Sequence, residues 1–265
     1  MPPTQQSVSD LAYELWLRRG REHGGDQRDW LAATADLRFF GQYELIAHAP
    51  LDQPAPGRTG RRCRFCERSA GRTTFQTPPP IWPGGHDGGL RSGEICDECQ
   101  AECREPLVGP FDAFWSTLGA IERARPAPLT LAILKAVAAS LVLITPEDEL
   151  EFLGDTIEWV GNPDQDDDAS LFTDAWCRVY LGDPPRRQPW AALARRRDDD
   201  AGGPYLVGWL GRDDLVIESP IPLCVRDQDR DTLALSPERS FVLGSFAATG
   251  RARSTLLSPA VLERA

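Results

Sequence analysis

The chain has 265 residues, apolar and charged fractions of 41% and 26%, and a formal net charge of −11. That length buries a real core without help from disulfides and suggests one to three small domains, while 23 prolines and 23 glycines imply long connections between compact pieces. The acidic balance excludes a protein that coats nucleic acid non-specifically, because such affinity comes from Lys and Arg neutralising phosphates.

The N-terminal stretch is helical in pattern. Ser7 stands three residues before Asp10 as in a capping box, and Leu11, Leu15 and Trp16 then form an apolar face in a short helix ending near Gly20. After the turn from Arg21 to Gly25, Asp26 is placed to cap a second helix whose inner face is Trp30, Leu31, Ala33 and Leu37. The two are expected to pack as a hairpin over residues 1–45, with Trp16 and Trp30 as large anchors. The run Ala12 to Trp16, followed by Gly20, Gly25, Trp30 and Ala33, resembles a short bacterial domain of unknown function, number 2934. That resemblance brings a fold expectation and no activity.

Residues 46–60 read as a linker, since Ala47 to Gly60 holds three prolines and two glycines. A cysteine module follows over 61–106, then a helical segment over 107–168. In the latter, Phe111, Phe114, Trp115 and Leu118 recur at turn spacing, and Leu129 to Ile144 is almost continuously apolar. This run is shorter than the ~20 apolar residues a bilayer requires and carries Lys135, so it reads as a buried helix and no membrane partner is expected. Pro146 then opens another helix, capped by Thr145 and supplied with Glu147, Asp148 and Glu149 at the positive end of its dipole. Beyond the acidic loop Asn162 to Asp168, residues 169–265 form a β-rich domain. Its strand-forming runs are Trp176 to Leu181, Trp190 to Arg195, Tyr205 to Leu210, Leu215 to Ser219 and Ser240 to Phe246, with Gly211 to Asp214 as a hairpin turn. The class is α+β with a mainly antiparallel sheet.

The seven cysteines, an odd number, sit behind a start, MPPTQQSVSD, that lacks the basic and apolar regions of a signal peptide. A cytoplasmic location is expected, with thiols as metal ligands rather than disulfides. Cys63, Cys66, Cys96 and Cys99 form two Cys-x-x-Cys pairs. Two residues between thiolates let one tight turn present both sulfurs, and two pairs complete a tetrahedron around Zn(2+). Four thiolates leave no open position, so this zinc is expected to be structural. Unliganded reduced thiols are the alternative, and a redox pair lacks its βαβ setting. Cys103 falls on the same helical face as Cys99 and reads as a small buried residue rather than a spare ligand. Cys177 and Cys224 read as core.

The order Cys63 to Cys66, Thr73-Thr74-Phe75, Ile81-Trp82-Pro83, a glycine-rich stretch and Cys96 to Cys99 resembles the treble-clef zinc ribbon of a branch of HNH endonucleases. The resemblance covers about forty-five residues directly. It implies a metal-assisted nuclease centre in which a histidine activates water and polar groups hold a catalytic ion. Two departures stand out: Pro78-Pro79-Pro80 occupies the segment of that histidine, and Gln100 replaces the asparagine after the last cysteine. His86 is the one histidine left in the module, so an active nuclease is the alternative to a catalytically inactive binding protein.

Arg58, Arg61, Arg62, Arg64, Arg68 and Arg72 stand against a single acid, Glu67, and form a basic strip that offers a nucleic-acid surface. A protein partner fits the overall acidity equally well. Asp227, Asp229, Asp231 and Glu238 have calcium-loop spacing, but Thr232 stands where the loop needs glycine and Pro237 precedes the glutamate, so the spacing reads as chance. No phosphate-cradling loop or serine-nucleophile elbow is present in the sequence, and no small-molecule cofactor is expected.

Overall fold

The computed structural model describes residues 3–18, 20–50, 62–76, 94–102, 131–162, 177–198, 202–228 and 253–257. His86, Arg58, Arg61, Cys103, the Phe111 to Leu118 repeat, the acidic residues after Asn162 and the Ser240 to Phe246 run lie outside them.

Helix α1 spans Gln5–Arg18, and Thr4 caps it rather than Ser7, through its Oγ1 accepting from the Ser7 N–H at 3.2 Å. At its other end Gly20, at φ +81°, takes the left-handed step, and Arg21 N–H reaches back to Trp16 O at 3.0 Å. Helix α2, Asp26–Gln42, has Gly25 as its N-cap, so Asp26 begins the first turn instead of capping it. The inner face differs from the expected one. Asp29, Ala32, Ala33, Asp36 and Phe39 are buried, whereas Trp30 and Leu31 are 38% and 61% exposed. The reason is steric: Ala32 and Ala33 allow close approach to Val8 and Leu15, which a tryptophan at that face would prevent. Trp16 is only partly buried, against Tyr13.

Strand β1, Tyr43–Pro50, follows α2 directly, so sheet pairing begins where the sequence reading ended a helical hairpin and opened a linker. It pairs antiparallel with β2 (Cys177–Arg196) through Tyr43↔Arg196 to Pro50↔Trp190. The opposite edge of β2 pairs along its length with β3 (Leu206–Pro220), and β4 (Arg253–Leu257) joins β2 end to end with β1. Four of the short runs read from the sequence are therefore two long strands, and Gly211 to Asp214 is internal to β3 rather than a turn. Their glycines, prolines and aspartates mark shifts of register, between Leu181 and Arg186 and again before Trp190, facing the same stretch of β3.

The two faces of this sheet carry different cores. On one, Ala192 and Ala194 lie opposite Trp209 and Val207, and these small residues admit Phe39 and Tyr43, which stack at 4.6 Å. On the other, Ala191, Leu193, Leu206 and Leu210 receive helix α4, Leu131–Ile144, and α5, Gly154–Gly161. Between these helices lies a 3₁₀ segment, Glu147–Leu153, with Pro146 at its N-cap. Thr145 does not cap it, because its hydroxyl turns back to Leu141 O at 2.9 Å. Lys135 is 2% exposed. Its Nζ donates to Asn162 O at 2.6 Å and lies 5.3 Å from the Trp159 ring centre. Among the described residues no helix is long and apolar enough to cross a membrane.

Several buried or half-buried charges among the described residues are paired. Arg195 bridges Glu44 and Glu149, Tyr205 donates to Glu149 at 2.9 Å, and Glu218 accepts from Arg178 at 3.2 Å and from Trp209 Nε1 at 2.9 Å. Arg197 covers carbonyls at the end of α2, donating to Phe40 O and Tyr43 O. The close packing gives a direct test. A methyl group on Gly211 would stand 2.2 Å from the Trp190 ring, so Gly211→Ala is expected to destabilise the fold by about 1–3 kcal/mol, measured by urea unfolding followed by tryptophan fluorescence.

Candidate metal centre

The site is built from two short pieces of chain. In the first, residues 62–76, the Cys63 N–H donates to Arg68 O at 2.9 Å and the Glu67 N–H to Cys63 O at 2.9 Å. Glu67 adopts φ +57°, the left-handed step that folds the loop so both sulfurs point the same way. In the second, helix α3 begins at residue 97 and is helical through 102, which puts Cys99 in its first turn and Cys96 just before it. Arg64 N–H to Glu94 O at 2.8 Å and Asp97 N–H to Thr74 O at 2.9 Å tie the two pieces together. The intervening residues 77–93, with Pro78-Pro79-Pro80 and Ile81-Trp82-Pro83, lie outside the described residues.

The four sulfurs lie within 4.8 Å of one another, with Cys63, Cys96 and Cys99 buried and Cys66 partly so. Cys66 Sγ is 3.7 Å from Cys96 Sγ. A tetrahedral ion with metal–sulfur bonds of ~2.3 Å sets its sulfurs ~3.8 Å apart, so slight contraction closes the shell. Backbone N–H groups support the sulfurs, from Cys96 to Cys63 at 3.4 Å and from Cys99 to Cys96 at 3.5 Å. The Cys63 thiol is pulled down to about 4, mainly by a hydrogen bond shared with Cys99, and also by backbone N–H groups of Cys96, Cys66 and Phe65 against the cost of burial. Cys99 moves the other way for the same reason, since it keeps the shared proton, and burial raises Cys66. The crowding thus favours a thiolate at Cys63, and a metal cation would offset that negative charge and the charge of its neighbours.

The four described arginines of the basic strip, Arg62, Arg64, Arg68 and Arg72, have different surroundings. Arg64 turns inward: its Nε donates to Glu94 Oε2 at 3.2 Å, and its Nη1 to Val142 O at 2.6 Å and Thr145 O at 2.7 Å, at the C-terminal end of α4. Arg62 pairs with Glu67 at 2.8 Å and Arg68 with Glu98, both at the surface, while Arg72 is exposed. The helix-capping role of Arg64 carries no sequence signal, because its partners are 30 and about 80 residues away. Gln100 donates its N–H to Cys96 O at 2.9 Å as part of α3. Asp227, the first of the calcium-spaced acids, accepts from Tyr205 N–H at 2.9 Å and pairs with Arg196, a structural use.

Fold and site together define an α+β protein with a four-cysteine centre able to hold a metal ion. Residues 3–38, the helical hairpin, match a family described as Protein of unknown function (DUF2934). No curated protein and no solved structure matches the chain.

Cys177 and Cys224 are buried in the main core, apart from the cluster. Burial pushes each thiol from an ordinary value of 9.0 up to about 12. The folded chain therefore keeps protons that the unfolded chain releases near pH 9, and the stability this gives is lost as pH rises from there toward 12. Cys177→Ala and Cys224→Ala are expected to weaken that loss, seen as a smaller drop in urea midpoint between about pH 8 and about pH 11.

Proposed function

We propose that Cys63, Cys66, Cys96 and Cys99 hold a structural zinc ion in a treble-clef ribbon, and that the chain is a catalytically inactive, HNH-like cytoplasmic binding protein. The observation that carries this reading is the convergence of four sulfurs within 4.8 Å on two short tied segments. A shell of four thiolates is the donor set zinc favours, and it leaves no position for water or substrate. Zinc would supply ~10–16 kcal/mol of apparent folding free energy to a segment with little apolar core of its own. The absence of a histidine at Pro78-Pro79-Pro80 supports binding over cleavage.

A protein partner fits the site better than nucleic acid. Arg64 is withdrawn into the fold, and Arg62 and Arg68 already face carboxylates that a phosphate would have to displace. The net charge of −11 adds long-range repulsion.

Metal analysis of the reduced, purified chain is expected to find a single equivalent of zinc, lost in Cys96→Ser, and cobalt(II) substitution to give the spectrum of tetrahedral thiolate coordination. Metal-free protein with four freely alkylated cluster thiols would sink the reading. Incubation with DNA or RNA and magnesium or manganese is expected to leave both intact. Cleavage abolished by His86→Ala would establish a nuclease instead, and salt-sensitive binding weakened by Arg72→Glu would restore nucleic acid as the partner.

A further inference from the structure

Among the described residues, Arg64 is the polar side chain that ties the four-cysteine centre to the end of α4. Arg64 lies between two candidate ligands, Cys63 and Cys66, and its guanidinium is nearly buried beside Glu94, which lies two residues before a third ligand, Cys96. The same guanidinium donates to Val142 O, which also accepts from the Thr145 N–H at 3.2 Å, and to Thr145 O just past the end of α4, so it supplements the closing turn of the helix with a side-chain donor. Apolar packing runs the same way. Leu143 of α4 is buried among Cys63, Ile95, Cys96 and Cys99, and Phe65, the next residue after Arg64, touches both this cluster and the main core. A Cβ on Gly161, at the end of α5, would stand 3.9 Å from Phe65, so the two elements are close there.

From this we infer that metal occupancy of the four-cysteine centre controls the stability of the α4–sheet core, with Arg64 as the coupling residue. The inference rests on the four cysteines binding metal, and adds that binding is felt far from them. The physical reason is that the Arg64–Glu94 pair spans both halves of the ribbon. Each half is pinned by the metal, and neither has enough apolar surface to hold a buried ion pair in register alone. When the metal leaves, the pair opens, Val142 O and Thr145 O lose the guanidinium donor, and Leu143 loses its cover. Any ligand that favours the clamped state then stabilises α4 by linkage.

Hydrogen exchange of the full-length chain, with and without zinc, tests this. In the wild type, zinc removal is expected to speed exchange across Leu131–Ile144 by about tenfold or more, together with residues 62–76. In Arg64→Met the ribbon still responds to zinc, while the response of α4 falls to within about twofold. Since that variant strands Glu94, the pair Arg64→Met with Glu94→Leu, which removes both charges, is measured beside it with the same expectation. Unchanged α4 protection on zinc removal in the wild type overturns the inference, as does a full zinc response of α4 in both variants. A wild type that binds no zinc overturns the metal reading itself, and metal analysis alone reports that.

Discussion

A helix without a polar face must be covered on every side, and α4 imposes that requirement on everything around it. From Ile133 to Ile144 nearly every described side chain is buried. The sheet takes one side, where Gly208 of β3 lets Leu141 lie directly on the strand backbone. Helix α5 takes another, and the cysteine segment closes a third through Leu143. The polar ends are the harder part, because carbonyls at the end of a buried helix have no water to turn to. A guanidinium from the cysteine segment meets two of them, so a segment that reads as a separate module in sequence is part of how the core is completed.

Charge follows the same logic. Arginines dominate the basic residues, and where described many of them bridge elements distant in sequence: Arg195 between β1 and the 3₁₀ segment, Arg197 onto the end of α2, Arg64 onto α4. The planar, five-donor guanidinium suits this, since one side chain satisfies a carboxylate and a backbone carbonyl together. Arg64 of the clustered arginines thus finds its partners inside the fold.

Legibility from sequence was uneven for physical reasons. The Cys-x-x-Cys pairs could be read directly, because two-residue spacing is a local geometric requirement and the structure brings all four sulfurs together. The burial of most of Ile133 to Ile144 was equally plain from the composition of that run. Where side chains serve two neighbours, local pattern failed. The inner face of α2 is set by Ala32 and Ala33 against α1 and by Phe39 against Trp209, so the exposed Trp30 misled. Long strands were read as short ones because their glycines, prolines and aspartates sit at register shifts, which look like turns until the partner strand is known. Strand β1 was missed because its pairing partner begins some 130 residues later. Arg64 read as surface because nothing near it in sequence names its acceptors.

The position of Lys135 bears on how the folded chain meets its chemical surroundings. It is the chain's single lysine, and its ammonium is enclosed beside the Trp159 ring with one N–H donated to the Asn162 carbonyl. Acylation, conjugation to another protein through an isopeptide bond and amine-directed cross-linking all need a free side-chain amine. The native fold therefore presents no side-chain target to them, and attachment through Lys135 becomes a mark of a chain whose central helix has opened.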